Sequence, residues 1–215
     1  MSRVRPLPVT ACYFVVLVAT TITQYAVSPA TRHRLLLGSS TDVAHLVRDP
    51  ALVLVASAFW LPDLTSLLLC PLIVLVLAVA EQRFGAARVV VAFVAGHVVS
   101  TLLTEGSVGL GVHLGWLSSS HDHRLDVGPS YGAAAVLGLL VAGLPVAQRR
   151  IGVLALAVLL GLPLAVDSEL TTVGHIVGAA TGVALWQIPW FRRARHGRAE
   201  SPTPYRRGCS SVSRC

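Results

Sequence analysis

The chain has 215 residues, 54% hydrophobic and only 13% charged, with a formal net charge of +7 and a mean hydropathy of +0.71. A soluble domain of this size needs about 25% charged residues to cover its surface. The composition therefore excludes a soluble globular protein and predicts an integral membrane protein with a single bundle.

Every one of the 17 basic residues is an arginine. The cysteines are Cys12, Cys70, Cys209 and Cys215, and no CxxC spacing occurs, so neither a zinc site nor a redox pair is indicated.

A run of about twenty apolar residues crosses a bilayer. Six such runs are legible, at 10–28, 63–80, 86–104, 129–147, 151–166 and 171–190. The first follows Arg3 and Arg5 and ends near Ala26-Val27-Ser28, which resembles a signal cleavage site. Its apolar stretch of about eighteen residues is long for a signal core, so it reads as a span. Between the first two spans, Ala51 to Leu61 is apolar but too short to cross; Pro50 and Pro62 bracket it. It reads as an interfacial or re-entrant segment. Glu105 to Gly128 reads as a polar outer loop with His113, Trp116 and His121-Asp122-His123.

Charge sets the expected orientation. With both termini in the cytoplasm, thirteen arginines fall inside and four outside, namely Arg32, Arg34, Arg48 and Arg124. That division obeys the positive-inside rule. The basic segment 191–215 reads as a topology anchor near anionic lipid, disordered in its Ser-, Pro-, Gly- and Arg-rich part, rather than a nucleic-acid binder. The expected organisation is a cytoplasmic N-terminus (1–9), a membrane domain (10–190) and this tail.

Two motifs carry chemistry. Gly128-Pro129-Ser130-Tyr131-Gly132 matches GxSxG. In soluble hydrolases that motif is an elbow between a strand and a helix, but no strand pattern precedes it here. Instead, Asp126 suits a helix cap, Pro129 suits a first turn, and an apolar run follows. Ser130 is thus expected in the first turn of the fourth span, where unpaired N–H groups and the helix dipole can stabilise an oxyanion. The alternative is a capping or packing serine.

The second motif is Gly174-His175-Ile176-Val177-Gly178-Ala179-Ala180-Thr181-Gly182. A histidine inside a span is costly and calls for a reason. Gly174, Gly178 and Gly182 recur every four residues, a double GxxxG that admits another helix to backbone contact. The fourth span offers a matching small face with Gly132, Ala133, Ala134, Ala135 and Gly138. Ser130 and His175 lie near the same end of their spans, within several ångströms in depth at about 1.5 Å rise per residue. A serine and a histidine so placed can form a nucleophile–base pair. The alternative for His175 is a hydrogen bond to a backbone carbonyl.

These residues resemble the rhomboid family of intramembrane serine proteases. The resemblance rests on GPSYG opening the fourth span and GHIVGAATG in the sixth. Glu81-Gln82-Arg83-Phe84-Gly85 adds to it, being similar to the family's turn between its second and third spans. It implies an all-α polytopic membrane protein, a six-transmembrane-helix rhomboid-like bundle. It further implies cleavage of transmembrane segments of other proteins by a Ser130–His175 dyad, with no cofactor. The segment 51–61 would correspond to the family's membrane-embedded first loop. Two departures stand out: Tyr131 follows the serine where the family has glycine, and the second span lacks the family's HxxxN, whose side chains help hold the oxyanion. His97, in the third span, is a candidate substitute donor, or a histidine that bonds a neighbouring helix. Gly128 and Tyr131 are further candidate supporting residues, and Asp126 could orient His175, though capping explains it more simply.

Three functions compete. The first is an intramembrane serine protease. The second is a pseudoprotease that binds transmembrane segments without cutting them, favoured by the missing side-chain oxyanion donors. The third is a metal or small-solute carrier using His97, His113, His121, Asp122 and His123, types suited to zinc. It is disfavoured because no second ligand cluster lies within a span. Partners are expected to be transmembrane proteins and the bilayer, in the cell membrane.

Overall fold

Glu81 shows how the ends of this bundle are tied. In the computed structural model, which describes residues 6–118, 125–166 and 170–192, the first helix α1 (Pro8–Ala26) begins against the last turn of α5 (Leu64–Phe84). Glu81 is buried and accepts the N–H of Val9 (3.0 Å), the N–H of Thr10 (2.8 Å) and the Thr10 hydroxyl (2.7 Å). A carboxylate there satisfies amides that α1 cannot pair internally and sits at the positive end of its dipole. Gly85 then closes α5 and opens α6 (Ala86–His113) with φ +86°, a backbone state that other residues adopt only under strain. The EQRFG motif therefore holds three helix ends together.

The chain between α1 and α5 folds into short helices: α2 (Pro29–Gly38), α3 (Val43–Arg48) and α4 (Pro50–Ala56), followed by a 3₁₀ turn at Ser57–Phe59. The 51–61 segment, expected to be interfacial or re-entrant, has two faces: Val53, Ser57, Ala58 and Leu61 are buried, while Leu52 and Val55 are exposed. The end of this segment leaves carbonyls without helical partners, and α1 supplies donors. The Tyr13 hydroxyl donates to Ala58 C=O (2.6 Å), Thr20 to Phe59 C=O (2.6 Å), and the Gln24 amide to Leu61 C=O (2.8 Å). These three side chains lie seven and four residues apart, on one helical face.

The remaining helices are α7 (Ser130–Ala142), α8 (Val146–Val166), α9 (Leu170–Leu185) and the short α10 (Pro189–Arg192). No strand occurs among the described residues. Three helices are long and apolar enough to cross a membrane, within Pro8–Ala26, Ser66–Phe84 and Ala86–His113. The chain is an all-α membrane protein; the six apolar runs fall mainly on α1, α5, α6, α7, α8 and α9, of which α7 (13 residues) and α9 (16 residues) are the shortest.

Boundaries differ from expectation in two places. The third run extends to His113, so Glu105 and Val108 are buried in α6 rather than set in an outer loop. The fourth stops at Ala142, because Gly143 caps it and Pro145 cannot continue the helical bonding; α8 starts at Val146 and takes Arg149 and Arg150 into its first turns. The expected disordered tail and the His121-Asp122-His123 triplet lie outside the described residues.

α6, α7 and α9 pack around small residues. A Cβ on Gly178 would sit 2.6 Å from Tyr131 C=O, and one on Gly138 or Gly182 would overlap the carbonyl of Ala179 or Ala135 respectively. Backbone therefore meets backbone between α7 and α9. Gly132 faces elsewhere: its Cβ would meet the Phe93 ring on α6 at 2.8 Å. Gly96 completes the α6–α7 contact, where an added Cβ would overlap Ala135.

Candidate functional site

Ser130 is the first helical residue of α7 and is half-buried. The stretch 125–129 that delivers it is irregular rather than a strand, and it is fastened to the first loop. Thr41 donates its N–H (2.9 Å) and its hydroxyl (3.0 Å) to Asp126 C=O, and the hydroxyl also reaches Asp126 Oδ2 (3.1 Å). Asp126 N–H donates to Ser40 Oγ (3.0 Å), and Gly128 N–H donates to Ser57 C=O (2.9 Å). Gly128 has φ +141°, the sharp bend that turns this stretch toward α7.

This arrangement corrects one expectation. Asp126 does not cap α7: Pro129 occupies the N-cap position, no side chain bonds the helix start, and the Asp126 carboxylate contacts Thr41 instead. Its four-residue lead over Ser130 is too long for an N-cap, and the loop opposite provides a nearer donor.

A polar cavity of about 240 Å³ opens at this end of α7. Ser130, Tyr131, His97, Thr171, Asp63 and Asp126 are among the side chains lining it. It lies where the first loop, the start of α5 and the starts of α7 and α9 converge. The first intrahelical bond of α7 runs from Ala133 N–H to Pro129 C=O (3.0 Å), so the positive end of the helix dipole faces the Ser130 hydroxyl.

His175 lies on α9, and its ring meets the Tyr131 ring edge-on with centroids 5.3 Å apart. Gly174, beside it, makes room for the same tyrosine: a Cβ there would stand 2.4 Å from the edge of the Tyr131 ring. His175 is thus set against Tyr131, the residue that follows Ser130, across the α7–α9 contact. No hydrogen bond joins Ser130 and His175 among the described residues, and the cavity is lined by Thr171, one turn before His175, rather than by His175 itself.

His97 is buried on α6, and its Nε2 lies 3.0 Å from Ser57 Oγ. Its ring stacks near-parallel to Phe93 at 6.4 Å between centroids. Besides the polar cavity, it lines an apolar cavity of about 280 Å³ walled by Tyr13, Leu54, Phe59 and Val94. His97 is therefore the partition between a polar chamber at the end of the bundle and an apolar one on its flank. Ser57 was not legible as a site residue: it sits in a short apolar segment with no motif. Its only sequence signal is a hydroxyl in an otherwise apolar run.

His113 closes α6 at its last residue. Among the described residues no group of three or more His, Cys, Asp or Glu side chains is disposed to hold a metal.

A family profile described as rhomboid-like protein matches residues 2–195. No curated protein and no solved structure matches the chain.

Proposed function

The chain belongs to the rhomboid-like protein family, and from that membership we propose that it is an intramembrane serine protease of other proteins' transmembrane segments. Ser130 is the nucleophile and His175 its general base. The observation that carries this reading is the placement of Ser130 at the positive end of α7, in a polar cavity, with the His175-bearing helix in backbone contact. The topology that goes with it is multi-pass in the cell membrane with both termini cytoplasmic.

In this mechanism Ser130 Oγ bonds to the scissile carbonyl carbon as its proton passes to the His175 imidazole. The oxyanion forms at the α7 N-terminus, where the helix dipole stabilises it. Collapse breaks the C–N bond, and His175 returns the proton to the leaving amine. Water then enters through the polar cavity and hydrolyses the acyl-enzyme. Dyad contacts in substrate-free enzymes are often longer than in the reacting complex, which is compatible with an unjoined Ser130 and His175. Tyr131 fixes the His175 ring by its edge contact.

One observation favours a second reading, a protein that binds transmembrane segments without cutting them. Gly128 N–H and His97 Nε2, both candidate oxyanion donors, are engaged by Ser57. A serine-directed fluorophosphonate separates the two. The parent should be labelled, and Ser130→Ala and His175→Ala should not. Loss of one oxyanion donor costs about 10²–10³ in rate, so the labelling uses high probe and long exposure. An unlabelled, well-folded parent whose transmembrane partner still binds Ser130→Ala undiminished would remove the protease and leave the binder.

A further inference from the structure

At the opposite end of the bundle from Ser130, α8 and α9 diverge. They leave a hollow of about 570 Å³ at their ends and an apolar groove of about 490 Å³ between them. The two share Val153, Val183 and Gln187 and so are continuous. Arg149 and Arg150 stand at the mouth with Trp186 and Gln187, while Leu156, Leu160 and Ile176 wall the body.

The mouth is cationic and unsatisfied. Among the described residues the side chains of Arg149 and Arg150 make no ion pair or hydrogen bond, and no acidic side chain lines either hollow. The described acid at this end, Glu81, is taken up by Val9 and Thr10. Other arginines there are used: Arg83 donates to Gly143 C=O, Arg88 to Trp190 C=O and Phe84 C=O, and Arg192 to Trp186 C=O. Arg192 also donates to Gln187 Oε1, which leaves the Gln187 amide hydrogens for another acceptor.

The groove has the length of one leaflet. From Val153 to Gly161 along α8, and from Ala184 to Ile176 along α9, the groove runs about 12 Å at the helical rise, and Gln187 extends it beyond the end of α9. Half the hydrocarbon thickness of a bilayer is about 15 Å.

We propose that this is a binding site for an anionic glycerophospholipid, its phosphate held by Arg149, Arg150 and the Gln187 amide and one acyl chain lying between α8 and α9. A zwitterionic lipid would bring its own cation to the two arginines, and a protein segment would not supply the phosphate this mouth can hold. The site is remote from Ser130 and does not depend on the proposed activity.

Trp186 is the reporter. The full chain carrying Trp60→Phe, Trp116→Phe and Trp190→Phe is reconstituted in phosphatidylcholine vesicles. These contain phosphatidylglycerol or phosphatidylcholine brominated on one acyl chain. Brominated phosphatidylglycerol should quench Trp186 in excess of its bulk share, an enrichment on the order of tenfold. Arg149→Gln with Arg150→Gln should reduce quenching to the phosphatidylcholine level without shifting the unfolding temperature, and the paired lysine variant should retain the excess. Equal quenching by the two lipids, or an excess that survives the glutamine pair, overturns the proposal. Binding of soluble glycerol phosphate to the detergent-solubilised protein without any excess quenching by brominated phosphatidylglycerol in vesicles also overturns it, since the mouth would then serve a free phosphate rather than a lipid.

Discussion

Single polar side chains decide where the ends of these helices rest, and Glu81 is the clearest case. It joins residues more than seventy positions apart, capping α1 from the end of α5. The EQRFG motif was legible as a turn. Its acid's partner was not, because a helix start 72 residues away leaves no local trace in the sequence. The same holds for Tyr13, Thr20 and Gln24, which hydropathy averages into an apolar run but which hold the carbonyls of 58–61. Removing the Glu81 carboxylate strands buried amides, and hydrogen bonds to charged groups contribute about 1.5–3 kcal/mol each. Glu81→Ala should therefore lower stability by about 2–4 kcal/mol, given partial replacement of the lost bonds by water. Glu81→Gln, which keeps one acceptor oxygen, should lose roughly half as much. Thermal unfolding in detergent measures both; an alanine variant melting with the parent would show that α1 does not need this cap.

Among the elements, α7 and α9 were the most legible, because a small-residue face is a statement about packing distance that any helix makes in its own sequence. Gly178 and Gly182 meet α7 backbone as the GxxxG spacing implies, while Gly132 turns to Phe93 on α6. The sequence offers no way to divide one small face between two neighbours. The break at 143–145 was hidden for a related reason: Gly143, Leu144 and Pro145 add little polarity, and a hydropathy window passes over them. Glycine's role at the contact can be separated from its intrinsic cost in a helix. Gly178→Leu must displace the Tyr131 carbonyl, 2.6 Å from the new Cβ, and overpacking of this kind costs about 3 kcal/mol or more when backbone is the obstacle. Gly106→Ala, in the same bundle but with nothing within 4 Å of its Cβ, should be neutral or gain up to about 1 kcal/mol from helix propensity. Unfolding temperatures of the two variants should move in opposite directions. A Gly178→Leu protein as stable as the parent would show that α7 and α9 do not need their close approach.

At the scale of the whole molecule, one end of the bundle is built from arginines and the other from a docked loop. Arg83, Arg88 and Arg192 tie helix ends by donating to backbone carbonyls, while Arg149 and Arg150 remain open beside them. The far end holds Ser40, Thr41, Asp126 and the Ser130 cavity, and beside it the His45 ring nitrogen Nδ1 lies 2.7 Å from Asp42, the residue that caps α3. The distribution of charge was legible because it needs only span positions and a count of arginines. The docking of residues 29–61 onto 125–128 was not, since it depends on hydrogen bonds between two loops that carry no periodic pattern. If the arginine-rich end faces the cytoplasm, retention of those arginines on that side fixes every other surface. Cys209 and Cys215 then lie inside and residue 118 outside, while Cys12 and Cys70 sit within helices α1 and α5. A membrane-impermeant maleimide applied to intact cells should leave the parent unlabelled until the membrane is opened, and should label a Ser118→Cys variant at once. Labelling of the parent tail before permeabilisation would invert the molecule, moving the Ser130 cavity to the cytoplasmic face.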